Sequence, residues 1–267
     1  MRKILFKTSL IACTLTVLLI ACKKESSVKE EQPSVPDEVL GKIAALGFSN
    51  KNVVKHEEGY LVEGDIVLTD EFLIHEPEAD FLRVGDEEQY RTFNLVTGLP
   101  RNITVRVSSS LPSRYVTALN SAISRYNALG LRITFSRVTS GGNIVISAAP
   151  SGAGYLASAG FPSSGGSPYG SVRVNRNYLD TWNINTVTSI LAHEIGHCIG
   201  FRHTDYMARQ YSCGGSPVNE GASSVGAVHI PGTATGPDPN SWMLACIGNG
   251  VNRPFNTNDR TALNYLY

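Results

Sequence analysis

The residues best suited to chemistry lie in one run, His193-Glu194-Ile195-Gly196-His197-Cys198-Ile199-Gly200-Phe201-Arg202-His203. On a helix, side chains four positions apart share a face, so the imidazoles of His193 and His197 reach the same metal ion. Gly200 lets the helix end in a left-handed conformation and turn, which brings His203 round as a third nitrogen ligand. Three histidines around zinc leave a fourth position open, the mark of a catalytic rather than a structural ion, and water held there has a pKa lowered to about 7. Glu194, beside the first ligand, is positioned to take that water's proton and deliver it to the leaving group as the water attacks a metal-polarised carbonyl. A bare H-E-x-x-H arises by chance. A glycine three residues on and a histidine three beyond it make coincidence improbable.

These residues need a helix, and the segment 184–199 reads as one. It sits in a pattern typical of an α/β domain. A strand is expected at 103–107. A helix opened by Pro112 or Ser113 follows, with Tyr115, Val116, Leu119, Ile123, Tyr126 and Leu129 at a period near 3.6 before Gly130 stops it. Strands are expected at 131–138, 143–148 and 171–175. The glycine-rich loop before the last of these holds a short edge strand at 155–159. Residues 202–252, rich in glycine, proline, serine and asparagine, read as mostly irregular. A final helix is expected at 258–266, with Thr257 or Asn258 as its N-cap and Asp259 in its first turn.

The chain has 267 residues and a formal net charge of zero, which gives no support for a nucleic-acid binder. The balance hides a segregation. Residues 1–22 carry 3 basic and no acidic groups; residues 23–90 carry 7 basic and 17 acidic, a balance of −10; residues 91–267 carry 13 basic and 6 acidic, a balance of +7. Arg2, Lys3 and Lys7 precede an apolar run, Thr8 to Ala21, which has the charge order and length of a signal peptide and is too short to span a bilayer. Leu19-Ile20-Ala21-Cys22 resembles a bacterial lipobox, in which the cysteine carries several acyl chains and anchors the protein to the membrane. The domains expected are a signal peptide at 1–21, a lipidated tether at 22–37, an acidic segment at 38–94 and a catalytic domain at 95–267. In the acidic segment an apolar helical pattern spans 39–46, and a strand-like stretch at 60–68 is broken by Gly64. With Cys13 in the leader and Cys22 lipidated, Cys198, Cys213 and Cys246 remain for one disulfide and one free thiol. The sequence does not fix the pairing; Cys213 with Cys246 is preferred.

The eleven residues match the metzincin signature H-E-x-x-H-x-x-G-x-x-H, and H-E-I-G-H resembles the bacterial HEIGH-type metallopeptidases, relatives of the astacins. The resemblance covers about residues 95–267. It implies a metzincin-like α/β (α+β) fold with a mixed twisted sheet, an active-site helix, a methionine turn and a C-terminal helix, and a Zn2+-dependent endopeptidase acting on protein or peptide substrates. Ser241-Trp242-Met243 resembles the methionine turn, and D-R-T-A-L-N-Y-L-Y the terminal helix. Val62-Glu63-Gly64-Asp65-Ile66 is similar to the F-E-G-D-I stretch of astacin propeptides, which implies that residues 38–94 form a propeptide whose Asp65 ligates the zinc until it is cleaved away, near 88–101 and around Arg91 or Arg101. An acidic propeptide suits a basic catalytic domain. The edge strand, with Tyr155, Leu156 and Ala157, would pair with an extended substrate. Thr204 stands where astacins have glutamate, and no tyrosine follows Met243 within two residues, which argues against an astacin-type tyrosine ligand.

Two other readings fit the same residues. A zinc hydrolase of non-peptide amides or esters would keep the metal chemistry, and a non-enzymatic surface lipoprotein would keep the anchor, although Glu194 argues against it. The expected location is the bacterial cell envelope, with the mature domain released if activation separates it from its anchor.

Overall fold

Strand formation follows where apolar residues alternate with polar ones. In Arg101–Val107, Ile103 and Val105 are buried while their neighbours are partly exposed. The computed structural model describes residues 34–74, 89–217, 227–233 and 238–267, all within one compact unit. Its elements in chain order are α1 (Asp37–Ala45), β1 (Val54–His56), β2 (Gly59–Val62), β3 (Ile66–Leu68), α2 (Asp70–Leu73), β4 (Tyr90–Arg91), β5 (Arg101–Val107), α3 (Ser113–Asn127), β6 (Ile133–Val138), β7 (Ile144–Ala148), β8 (Ala157–Gly160), β9 (Ser171–Val174), α4 (Arg176–Leu179), α5 (Ile184–Cys198), α6 (Gln210–Cys213), β10 (Val228–His229) and α7 (Thr257–Leu266). The leader and Cys22 lie outside the described residues.

Eight strands form one mixed sheet among the described residues, in the order β1-β2-β3-β8-β9-β7-β5-β6. Pairing is parallel from β9 through β7 and β5 to β6, and antiparallel between β8 and β9. The β1-β2-β3 meander is antiparallel and joins β8 through a parallel pairing, Ile66 with Ala159 and Val67 with Gly160. β4 and β10 make a separate small ribbon.

Helices α3 and α5 share one core with the sheet, built on Tyr115, Leu119, Tyr126, Leu191 and Ile195 against Ile103, Ile133, Ile144 and Val172. The Tyr126 hydroxyl, inside that core, donates to the Ala192 carbonyl at 2.7 Å and ties the two helices together. Every residue of α5 from Thr186 to Cys198 is buried, so this helix is held on all sides rather than on one stripe. A second cluster joins Ile43, Leu46, Phe48, Tyr60, Val62, Ile66, Leu68 and Leu73 to a single residue from beyond position 74, Phe161. The Phe161 ring lies 5.8 Å from those of Phe48 and Phe72.

Several boundaries differ from expectation. The strand expected at 155–159 runs from Ala157 to Gly160, because Asn175 captures the carbonyls of Ala153 and Tyr155 and holds the preceding chain out of the ladder. It is also no edge strand in this chain, since β3 covers its outer side. The cap of α7 is Asn256, not Thr257 or Asn258: its side chain accepts from the Asp259 amide at 2.9 Å while the Asp259 carboxylate accepts from the Asn256 amide at 3.0 Å, a reciprocal capping box. Arg91 and Arg101, the expected points of cleavage, are built into the body: Arg91 pairs with Val228 in the small ribbon, and Arg101 opens β5 and donates to the Gly166 carbonyl. Cys213 and Cys246 form a disulfide, and Cys198 is a buried free thiol.

Phe161→Ala should remove the anchor that the second cluster takes from outside residues 34–74. A loss of about 3–5 kcal/mol is expected for such a truncation, read as faster amide exchange in residues 59–68 with α3 and β5 unchanged.

Candidate active site

Helix α5 presents His193 and His197 one turn apart, and its end brings in His203. Gly200 has φ +109°, its amide donates to the His197 carbonyl at 2.9 Å, and the Phe201 amide reaches back to the Gly196 carbonyl at 2.9 Å. This is the double closure that reverses a chain at a helix C-terminus, and a Cβ at residue 200 would lie 2.9 Å from the Asn94 carbonyl oxygen. The ring centroids are 4.6 Å apart for His193 and His197, 5.0 Å for His197 and His203, and 5.3 Å for His193 and His203.

Backbone carbonyls set the tautomers. His193 Nδ1 lies 2.9 Å from the Trp242 carbonyl oxygen and His197 Nδ1 lies 2.7 Å from that of Phe201. A carbonyl only accepts, so each Nδ1 carries the proton and donates it, leaving Nε2 with a lone pair. Both Nε2 atoms are buried without a hydrogen-bond partner. Burial, reinforced by His193 and His203, holds His197 well below the usual imidazole range.

Asp65 completes the group. It follows Gly64 in the turn between β2 and β3, where Glu63 has φ +53° and Gly64 φ +92°. Its carboxylate lies 3.1 Å from His203 Nε2 and 3.5 Å from His193 Nε2, and a ligand atom from each of Asp65, His193, His197 and His203 lies within 4.8 Å of all the others. Burial raises the Asp65 pKa, but the three histidines overcome it and hold the group well below the usual carboxylate range. A site of buried imidazole lone pairs and one carboxylate, all aimed at one point, fits a zinc ion.

Glu194 is buried in the same cleft with Oε2 unpartnered. Burial, then the charge of Asp65, pushes its pKa well above the usual carboxylate value. The cleft, about 240 Å³, is walled by Tyr155, Leu156 and Ala157 on the strand side and by residues 244–247 with Arg253 opposite. Met243 lies fully buried beneath the histidines, where its carbonyl accepts from the Thr204 amide at 3.0 Å, next to His203. The expected residues His193, Glu194, His197, His203, Asp65 and Met243 therefore converge. Tyr155 and Leu156 line the cleft without belonging to the strand.

What holds Asp65 in place has no local mark in the sequence. Arg202, fully buried, donates to both carboxylate oxygens of Glu63 at 2.8 and 2.9 Å and to the Gly47 carbonyl, with Phe48 4.1 Å from its guanidinium. Arg209 donates to the Glu63 carbonyl, and Arg173 meets Glu57 at 2.6 Å and Glu58 at 3.2 Å. The segregation of acidic and basic residues was the signal available; which residues pair depends on chain-distant geometry.

Gly196 explains the middle of the motif. A Cβ there would lie 2.6 Å from Met243 Sδ and 2.9 Å from Trp242 Nε1. Gly196→Ala should cost about 1–3 kcal/mol through overpacking and weaken metal retention, measured by thermal unfolding and chelator competition.

The profile of the dual-action HEIGH metallopeptidase family matches residues 60–267, a span that includes the hairpin carrying Asp65 as well as the histidines. Two solved structures of myroilysin are similar to the chain. One is 16% identical with a TM-score of 0.43, covering 65% of this chain and 96% of the other; the second is 14% identical with a TM-score of 0.40, covering 63% and 83%. No curated protein matches. With the metal-ligand motif on α5 and the family profile spanning most of the chain, this protein belongs to the dual-action HEIGH metallopeptidase family and is a hydrolase of that kind.

Proposed function

We propose that the protein is a zinc endopeptidase made as a latent precursor, with His193, His197 and His203 as ligands, Glu194 as general base and Asp65 as the ligand that blocks it. The observation that carries this reading is the convergence of the Asp65 carboxylate with three imidazoles in one buried cluster. Zinc held there supplies an activated water and polarises the scissile carbonyl. Glu194, buried beside the ligands with Oε2 unpartnered, would receive the water's proton and pass it to the departing amine. Met243 and Trp242 hold the ligands from below. The Asp65 carboxylate, 3.1 Å from His203 Nε2 and 3.5 Å from His193 Nε2, would take a metal position in place of that water.

An extended substrate would lie along β8, taking the edge that β3 now covers. Tyr155, Leu156 and Ala157 would then line the cleft that it shares with Glu194. Residues up to 74 act as the propeptide in this reading, bound through the shared sheet, the Phe161 cluster and the ion pairs of Glu57, Glu58 and Glu63. Activation cleavage falls before Gln89, because Gln89 and Tyr90 are buried within the catalytic body. This moves the proposed boundary from residue 94 to just before 89. Export by a leader at 1–21 and a lipid anchor on Cys22 remain part of the proposal, supported by the sequence alone. Such an anchor would place the latent enzyme at the bacterial cell envelope.

Asp65→Ala in the full chain should release chelator-sensitive cleavage of unfolded casein, whereas the unaltered chain stays inactive. If the substitution leaves the chain as inactive as before, the latency reading fails. Adding Glu194→Ala should reduce that cleavage by about 10²–10⁴-fold while one zinc per chain is retained. Loss of zinc together with activity would instead make Glu194 a structural residue.

A further inference from the structure

The methionine turn, residues 241–243, holds His193 and the residue after His203 through its backbone. The Trp242 carbonyl accepts from His193 Nδ1 at 2.9 Å, and the Met243 carbonyl accepts from the amide of Thr204, the neighbour of His203. What holds the turn is a carboxylate on α7. Asp259, fully buried, accepts from Ser241 Oγ at 2.9 Å and from the Trp242 amide at 3.2 Å, and Ser241 Oγ in turn lies 3.2 Å from the Met243 amide. The same carboxylate accepts from Gln89 Nε2 at 2.8 Å and from its own cap residue, the Asn256 amide, at 3.0 Å.

We infer that Asp259 is a positioning residue for the metal centre, acting through Ser241 and Trp242 on the orientation of His193. Trp242 is the link, since its amide is bound by Asp259 and its carbonyl binds the imidazole. A shift of the carboxylate is transmitted across one residue to a ligand ring. Charge-assisted bonds of this kind are shorter and stronger than neutral ones, so the carboxylate clamps the turn more firmly than a hydroxyl or amide in its place. The ligand-orienting partners around a metal tune affinity in the same way. The indole of Trp242 adds stiffness, packed 4.9 Å from the Phe201 ring and 5.0 Å from Phe255. Gln89 fastens the start of the catalytic body to the same carboxylate, so the chain just after the proposed cleavage region and the metal ligand share one anchor.

This inference rests on His193 being a metal ligand, as proposed above. The test uses the full chain and measures zinc affinity by competition with a chromophoric chelator, beside the melting temperature of the zinc-free protein. Asp259→Asn is compared with Asp238→Asn. Asp238 is a buried carboxylate near the same end of α7 that accepts from Asn256 Nδ2 and Asn258 Nδ2 at 2.8 and 2.9 Å and from the Asn240 amide at 3.1 Å; it meets the turn only through its backbone carbonyl, which accepts from the Ser241 amide and is kept in Asp238→Asn. The expected result is zinc affinity about tenfold weaker for Asp259→Asn and unchanged for Asp238→Asn, with comparable losses in melting temperature. Equal zinc affinity in both variants, or equal weakening in both, overturns the inference. Should Asp259→Asn fail to fold, Ser241→Ala interrupts the same path with a smaller insult and is expected to weaken zinc binding severalfold; unchanged affinity there counts against the inference as well. If the unaltered chain binds no zinc at all, the metal-site reading fails first, and the two failures are thereby told apart.

Discussion

The convergence of three buried imidazoles on one point is the constraint on which the rest of this structure depends. His193 Nε2 and His197 Nε2 are buried there without a hydrogen-bond partner, which is costly unless a cation fills the point between them. The fold is arranged to keep them there. Helix α5 is enclosed on every side, so its two histidines have little freedom to turn outward. The reversal at Gly200 delivers the third histidine and also the Phe201 carbonyl that fixes His197. The methionine turn fixes His193 from below. The rings of His193 and His197 are each locked by an acceptor that only a folded backbone supplies, which is why one short sequence motif needs a domain around it.

The same constraint explains why so much of the site was legible in the sequence. Ligand spacing on a helix and a glycine at its end are local properties, and His193, Glu194, His197, Gly200 and His203 express them within eleven consecutive residues. Helix α3 and the parallel strands were also readable, because Tyr115, Leu119, Ile123 and Tyr126 repeat at helical spacing while Ile103 and Val105 alternate. Legibility ended where position is decided by distant chain. Nothing local marks Arg202 as the partner of Glu63, 139 residues away, or Asp259 as the acceptor for Trp242. Short elements such as α2 and α4 span four residues each, below the length at which periodicity is informative. The start of β8 falls two residues later than expected because Asn175, from the far side of the following loop, decides where the ladder begins.

Residues 34–74 carry a hydrophobic cluster of their own, yet it is completed by Phe161 and by pairing with β8. About forty residues make a marginal core alone, so its order is shared with the larger body. The acidic side chains along this interface do not replace that packing; they meet arginines at its borders, with Arg173 partly exposed and Arg202 wholly enclosed. Exposed pairs of the first kind contribute little net stability, whereas breaking an enclosed pair leaves an uncompensated charge.

That enclosed pair sets the register of the hairpin. In β2 and β3 every residue is buried, so no alternation of polar and apolar side chains tells the hairpin how far along β8 to sit, and a slide by one position would bury much the same surface. Glu63 against Arg202 breaks that degeneracy, because a slide would strand a carboxylate and a guanidinium in an interior without water. A two-residue step along the turn separates Glu63 from Asp65. The ion pair therefore acts as a ruler: it measures out which side chain arrives opposite the imidazoles, and makes that residue the aspartate.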